Sequence, residues 1–280
     1  PLYNKTMFIN VAQNGKWELN TPQIMGIMNV THDSFYENSR AKSIADLLAK
    51  ATQMIAEGAQ ILDIGAQSTR PGAEIINTAT ELANLMPYLE ALKIQFPEQL
   101  ISIDTFNPIV AEHALNAGAH IINDISGASF DTKILEVVSK YQAGYIAMHI
   151  TGNQMTMHQI EKRSDIISAI IDDMEMKKKL LASFGIENWV MDPGFGFGKT
   201  VQENFDIVKR LQELKVINLP ILLGVSRKSS IYKTLGIGPE DALNGTTVLN
   251  TLGLLNGASI LRVHDIKEAK QIIELLPYLQ

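Results

Sequence analysis

The chain has 280 residues, of which 46% are hydrophobic and 19% charged, with a formal net charge of -6. That is ample apolar material for one large core, and the acidic balance argues against a general nucleic-acid binder. The absence of cysteine excludes disulfides, thiolate catalysis and Cys-ligated metal centres. No apolar run reaches the ~18 residues of a membrane span, so a soluble, cytoplasmic protein is expected.

Two short alternating runs, Met7–Val11 and Lys16–Asn20, flank Asn14-Gly15 and predict a hairpin extension over residues 1–20, with the two φ > 0 positions supplied by that dipeptide. From residue 21 to 280 one pattern repeats: a short β-rich run, a polar loop, then a segment of helical period. The expected strands are Ile24–Val30, Ile61–Ala66, Leu100–Thr105, His120–Ser126, Gly144–Ile150, Trp189–Pro193, Ile221–Ser226 and Ser259–His264. Among the helices, Ser43–Glu57 carries Ile44, Leu47, Leu48, Ala51, Met54 and Ile55 on one face, with Ser43 and Asp46 placed for a capping box and Gly58 as terminator. Asn107-Pro108 opens a helix that ends at Gly118, and Asp265 with Glu268 is placed to box the start of the last one. The run Asp172–Lys179 reads as a solvated helix face.

Eight strand–helix units in under 300 residues fit a single (β/α)8 TIM barrel with crossover helices, the alternative being an open doubly wound sheet. Function in such barrels gathers at the carboxyl ends of the strands. Here those ends carry Asn29, Asp63, Asp104, Asn123 with Asp124, His149, Asp192, Arg227 with Lys228, and Arg262 with His264, on strands otherwise almost wholly apolar. Burying so many polar groups at one mouth without partners is costly, and a substrate is the simplest partner. Carboxylates and Asn123 suit the edge of a flat polar heterocycle, while Arg70, Lys228, Arg262 and His264 suit phosphate oxygens. Asn29 and neighbouring carboxylates offer oxygen ligands for Mg²⁺.

Other readings of these residues are plain. Asp63 serves equally well as a holder of loop amides, Asp124 as a turn residue and His149 as a histidine without substrate contact, and Lys199 reads as a solvated lysine at a helix start rather than a secondary anion contact. The glycine-rich run Asp192–Lys199 fits neither a Walker A loop nor G-x-G-x-x-G.

These residues lie in runs that resemble the dihydropteroate synthases, the pterin-binding barrel family of folate biosynthesis and the target of sulfonamides. The runs are Gly26-Ile-Met-Asn-Val-Thr with Asp33-Ser-Phe35; Asp63-Ile-Gly with Ser68-Thr-Arg-Pro-Gly-Ala73; Ser102-Ile-Asp-Thr105; Ile122-Asn-Asp124; Asp192-Pro-Gly-Phe-Gly-Phe-Gly-Lys199; Ser226-Arg-Lys-Ser229; and Arg262-Val-His-Asp265. The resemblance implies a transferase that condenses 6-hydroxymethyl-7,8-dihydropterin diphosphate with 4-aminobenzoate. By its route diphosphate leaves first, and the arylamine then attacks the pterin cation. It implies pterin contacts at Asp104, Asn123, Asp192 and Lys228, with Ile125, Met148, Phe197 and Gly224 as walls. It implies a diphosphate pocket at Asn29, Arg262 and His264, with Mg²⁺ on Asn29, and an aminobenzoate site at Thr69, Arg70, Pro71 and Ser229. Asn29, Arg70, Lys228, Arg262 and His264 would be the catalytic set, Asp63 a supporting residue, and Asp33, Phe35 and Glu37 the first loop near the cation. A homodimer, and in some members a fused folate-pathway polypeptide, are also implied. The sequence departs from the family at His32, Glu37, Asn38-Ser39 and Ala66-Gln67. Two rival readings are a catalytically silent homologue and a pterin-dependent methyltransferase; Ser68-Thr-Arg-Pro-Gly and Ser226-Arg-Lys-Ser speak against the second.

Overall fold

The computed structural model describes residues 8–12, 15–30, 37–67, 75–160 and 163–279, apart from the side chains of 37–42. Strands β1 (Phe8–Val11) and β2 (Gly15–Glu18) form a separate antiparallel pair. Eight parallel strands follow: β3 (Gln23–Asn29), β4 (Ile61–Gly65), β5 (Leu100–Asp104), β6 (Ile121–Asp124), β7 (Gly144–Met148), β8 (Val190–Asp192), β9 (Leu222–Leu223) and β10 (Ile260–Val263). Their order is β8-β7-β6-β5-β4-β3-β10-β9, and the ends of this sheet meet through a parallel bridge between Met191 and Ile221. The expected TIM barrel is therefore present, and every expected strand overlaps an observed one. The seam is short: the expected Ile221–Ser226 contracts to Leu222–Leu223, and beyond it Ser226 and Arg227 are linked to the residues after β10 by side chains instead of a ladder.

Helices α1 (Glu37–Glu57), α2 (Thr78–Gln95), α3 (Pro108–Asn116), α4 (Lys133–Tyr141), α5 (Ile166–Ser183), α6 (Val201–Lys209), α7 (Ser229–Leu235), α8 (Leu243–Leu255) and α9 (Ile266–Leu275) are threaded between and after the strands. Three local expectations change. Helix α1 starts six residues before Ser43, so Ser43 is interior and its hydroxyl meets Tyr88 Oη at 2.6 Å instead of capping. Asp265 makes no cap hydrogen bond at α9, because its carboxylate is held by Arg227. In the hairpin, Val11 pairs with Gly15, so Gly15 (φ +77°) lies in the ladder rather than in a two-residue turn; Asn14 lies outside the described residues. On α5 the expected solvated face is interrupted by Lys177, which is buried and paired with Asp173 at 2.6 Å. The opening of α3 is as read: Asn107 Oδ1 accepts from Ile109 N, and Gly118 (φ +102°) follows the end.

Side chains on a strand alternate faces, and here that alternation sorts the barrel by height. One set of positions, Met25, Ile61, Ile121, Ile146, Val190, Leu222 and Ile260, forms a fully buried apolar floor together with Ile9, Val11 and Leu19 of the hairpin. The hairpin is seated by backbone: Ala12 N donates to His120 O at 3.1 Å, and a Cβ on Gly144 would sit 2.7 Å from Asn10 O. Two residues further along β4, β6, β8 and β10, on the same face, stand Asp63, Asn123, Asp192 and Arg262. Outward-facing Leu62, Ile64, Ile103, Ile122, Ala147 and Leu261 pack under the helices.

Candidate active site

Arg262 organises the mouth. Its Nε donates to Asp63 Oδ2 at 2.6 Å and its Nη2 to Asp104 Oδ2 at 2.6 Å, while Asn123 Nδ2 donates to the same Asp63 oxygen at 3.1 Å. Four strand ends are thereby tied together by side chains alone. Asp63 is fully buried, and its Oδ1 has no partner among the described residues. Its place is thus at the centre of the cluster, holding Arg262 and Asn123 rather than loop amides. Beside it Ser102, in register with Asp63, also has a buried hydroxyl without a partner among the described residues. Burial pushes the Asp104 carboxyl up to about 7, against the pull of Arg262 and with the push of Asp63.

Across the mouth, Asp192 Oδ1 accepts from Gly194 N at 2.7 Å; burial raises its carboxyl and Lys228 opposes the rise. Lys228, immediately before α7, donates from Nζ to Phe195 O and lies 4.9 Å from the centre of the Phe197 ring. Burial lowers it to about 8, against the pull of Asp192. A Cβ on Gly224 would lie 3.8 Å from Lys228 Nζ and 3.9 Å from Arg262 Cβ, so this glycine stands between the two cations. Ile125, Met148 and Phe197 belong to one apolar cluster with Ile150, Met157, Phe106 and Phe130, the last four being wall candidates that the motif reading missed. Phe106 and Ile150 carried a signal as apolar residues just past polar strand ends, whereas Phe130 and Met157 lie further along their loops.

Loop 193–199 is held from below. Lys199 is buried, not solvated: Nζ donates to Gly194 O at 2.8 Å, Phe197 O at 3.1 Å and His149 O at 3.4 Å. Desolvation lowers it to about 7. Gly194 (φ +71°) passes so close that a Cβ would lie 2.1 Å from His149 O. His149 therefore contributes its backbone; its ring is buried, lowered to about 2 by desolvation and the neighbouring cations, and unpartnered at Nδ1 among the described residues. Asp124 is a turn residue, accepting from Ser126 N, Ala128 N and Tyr145 Oη.

On the rim, His264 Nδ1 lies 2.9 Å from Ser226 Oγ, and Ser229 is the first residue of α7. Asn29 ends β3 with an exposed amide that has no protein partner among the described residues. Mg²⁺ keeps several waters and is commonly held by one or two protein oxygens plus substrate phosphates, and a single amide oxygen at a cationic rim fits that donor set. Among the described residues no group of three His, Asp or Glu is placed to hold a metal. His32, Asp33, Phe35, Asn38-Ser39, Thr69, Arg70 and Pro71 lie outside the described residues, as does the side chain of Glu37, whose backbone opens α1. Gln67 is buried and accepts from Ile76 N at 2.9 Å.

The family model for pterin binding enzymes matches residues 25–264. Dihydropteroate synthase of Escherichia coli K12 is 37% identical over 95% of this chain and 94% of its own. A bifunctional folate synthesis protein of Arabidopsis thaliana is 37% identical over 90% of this chain, which spans 48% of that longer protein. Among solved structures, dihydropteroate synthase of Clostridium difficile, determined in the presence of pteroic acid, superposes with a TM-score of 0.86 at 36% identity, over 93% of this chain and 97% of that one. No described helix is long and apolar enough to cross a membrane. With the mouth, the sequence identity and the backbone in agreement over nearly the whole length, the chain belongs to the pterin-binding enzyme family, among the dihydropteroate synthases.

Proposed function

We propose that this mouth binds a dihydropterin diphosphate and joins its methylene carbon to the amine of 4-aminobenzoate, releasing diphosphate. The observation that carries the reading is Arg262 shared between Asp63 and Asp104, with Asn123 on the same carboxylate and Asp192 with Lys228 facing them across an apolar slot. A flat heterocycle rich in N–H and C=O edges suits Asp104, Asn123, Asp192 and Lys228, and Ile125, Met148 and Phe197 suit its faces. The ring's methylene end then points toward the rim of Asn29, Arg262 and His264.

Loss of diphosphate breaks a C–O bond and separates two charges. Arg262 and His264 hold the departing anion, and the surplus carboxylate charge of Asp63 and Asp104 offsets the cation left on the pterin. Asn29 would hold Mg²⁺, which supplies charge neutralisation on the diphosphate when bound. The arylamine attacks as a neutral nucleophile, so no side chain forms a covalent bond. Ser229, with Thr69, Arg70 and Pro71, is the proposed aminobenzoate site, the place where sulfonamides would compete; Asp33 and Phe35 are assigned to the first loop near the cation, with Glu37 at the start of α1 beside them. A cytoplasmic homodimer completes the reading. Its proposed interface is the groove between α6 and α8, lined by Phe205, Val208, Leu249 and Leu252 beside exposed Val201 and Val248.

The test is diphosphate release from the pterin diphosphate with Mg²⁺, with and without 4-aminobenzoate, while dihydropteroate is followed in parallel. Release matched by dihydropteroate is expected. Tight pterin binding without turnover would favour the silent homologue.

A further inference from the structure

His264 is held by one side chain. Ser226 Oγ accepts from the backbone N–H of His264 at 3.2 Å and stands 2.9 Å from Nδ1 of the same residue. A hydroxyl has one proton and two lone pairs. The backbone amide, which can only donate, takes one lone pair, leaving the proton and one lone pair for the ring. Ser226 is buried, and among the described residues its hydroxyl has no other acceptor. Only if the proton goes to Nδ1 is every one of these groups satisfied; the opposite arrangement strands a buried hydroxyl proton.

The contact is built into the fold. Ser226 and His264 follow neighbouring parallel strands, β9 and β10. The next residues repeat the link: Arg227 Nε and Nη2 donate to the two oxygens of Asp265, each at 2.9 Å. Arg227 sits at φ +52°, sparsely populated for a side-chain-bearing residue, and is kept there by Thr246 Oγ1 on its N–H and by the carbonyls of Pro239 and Glu240 on Nη1. Burial, with the charges of Arg262 and Lys50, lowers His264 to about 4, so the ring is neutral near pH 7.

We propose that Ser226 is a positioning residue that fixes the tautomer of His264, its hydroxyl donating to Nδ1 so that the ring proton stays on Nε2. That nitrogen has no protein partner among the described residues. A neutral imidazole in this form offers an N–H donor to an anion, whereas the other tautomer would aim a lone pair at it. The inference rests on the proposed function only where it names the anion, a diphosphate oxygen; the tautomer itself does not depend on that reading.

The experiment labels the histidine rings with ¹⁵N and records long-range ¹H–¹⁵N correlations at pH 7.5. The chain has 6 histidines, and H264Q identifies the resonances of interest. Expected is a protonated Nε2 and a bare Nδ1 in the unaltered protein, a mixed ring in S226A, and restoration in S226T. In the same variants S226A should raise KM for the pterin diphosphate about tenfold, one hydrogen bond's worth, with the affinity for plain 6-hydroxymethylpterin unchanged. A protonated Nδ1 in the unaltered protein, or a ring in S226A identical to the unaltered one, overturns the proposal. The first of these readings needs no variant, so it decides even where S226A fails to fold. The expected tautomer in a protein without turnover upholds the assignment and counts against the proposed function instead.

Discussion

The floor and the mouth of this barrel are built from the same strands, one step of the pleat apart, and they follow opposite rules. At the floor Ile9, Val11 and Leu19 of the hairpin close over Met25, Ile61, Ile121, Ile146, Val190, Leu222 and Ile260, all of them buried. Two residues on, Asp63, Asn123 and Asp192 are buried, and the half-buried Arg262 and Asn123 both bond Asp63. Asp63 Oδ1 and Ser102 Oγ remain unpartnered there among the described residues. Apolar packing offsets the entropy of folding, while buried, incompletely paired charge opposes it. The floor therefore stabilises the chain against the cost of the buried, incompletely paired groups at the mouth.

Substitutions separate the two ends, and the largest effect is expected at the mouth. R262A leaves Asp63 and Asp104 buried side by side without a counter-charge. Urea unfolding should show a loss of about 3–5 kcal/mol, and both pterin binding and diphosphate retention should fall, because Arg262 orders the ring-edge carboxylates as well as the rim. A folded R262A with unaltered pterin affinity would remove Arg262 from its organising place. At the floor, I9A deletes a fully buried side chain and should cost about 2–4 kcal/mol while leaving kcat/KM of the folded protein unchanged. Activity lost out of proportion to stability would deny the separation of the two ends.

Acid sharpens the contrast. His120, beneath the hairpin, accepts from Ile101 N through Nδ1, and desolvation together with Lys93 lowers it to about 4. Between about 4 and the unfolded value near 6.5 the unfolded chain binds the extra proton, so this residue makes stability rise with pH, by at most about 1.4 kcal/mol per unit. Its contribution is lost as pH falls through that window. H120N keeps an acceptor and removes the titration, and should flatten the slope from pH 4.5 to 6.5 in urea unfolding. Asp104, raised to about 7, has the opposite sign, since the folded state binds the extra proton above the unfolded value; subtracting the variant isolates His120. The smallest effect is expected at the capping box of α6, where Thr200 Oγ1 accepts from Glu203 N at 3.1 Å and Glu203 Oε2 from Thr200 N at 2.7 Å. T200A should cost about 1 kcal/mol, read as a shift in thermal midpoint, with no change in pterin affinity.

The strands, their parallel order and the polar residues at their ends were all legible in the chain, because period and composition are local properties. Lys199 and Asp63 show where that legibility stops. A lysine after a glycine-rich run reads as solvated, yet three carbonyls, one of them from His149 just past β7, close around it. An aspartate at a strand end reads equally as a loop anchor or a supporting site residue, and only its partners, 60 and 199 residues away, decide for the second. Ser43 and Asp265 carry capping patterns that lost to Tyr88 and Arg227, partners from other elements.

By itself, then, the amino-acid order determined the barrel, the family and the list of groups that meet at the mouth, since alternating and helical periods and strand-end polarity need no distant partner to be recognised. Only the tertiary structure decided which of those groups hold one another: Arg262 with Asp63 and Asp104, Ser226 with His264, Lys199 with its carbonyls. Such pairings depend on strand register and on the closure of the seam at Met191 and Ile221, and those are set by the packing of the whole chain.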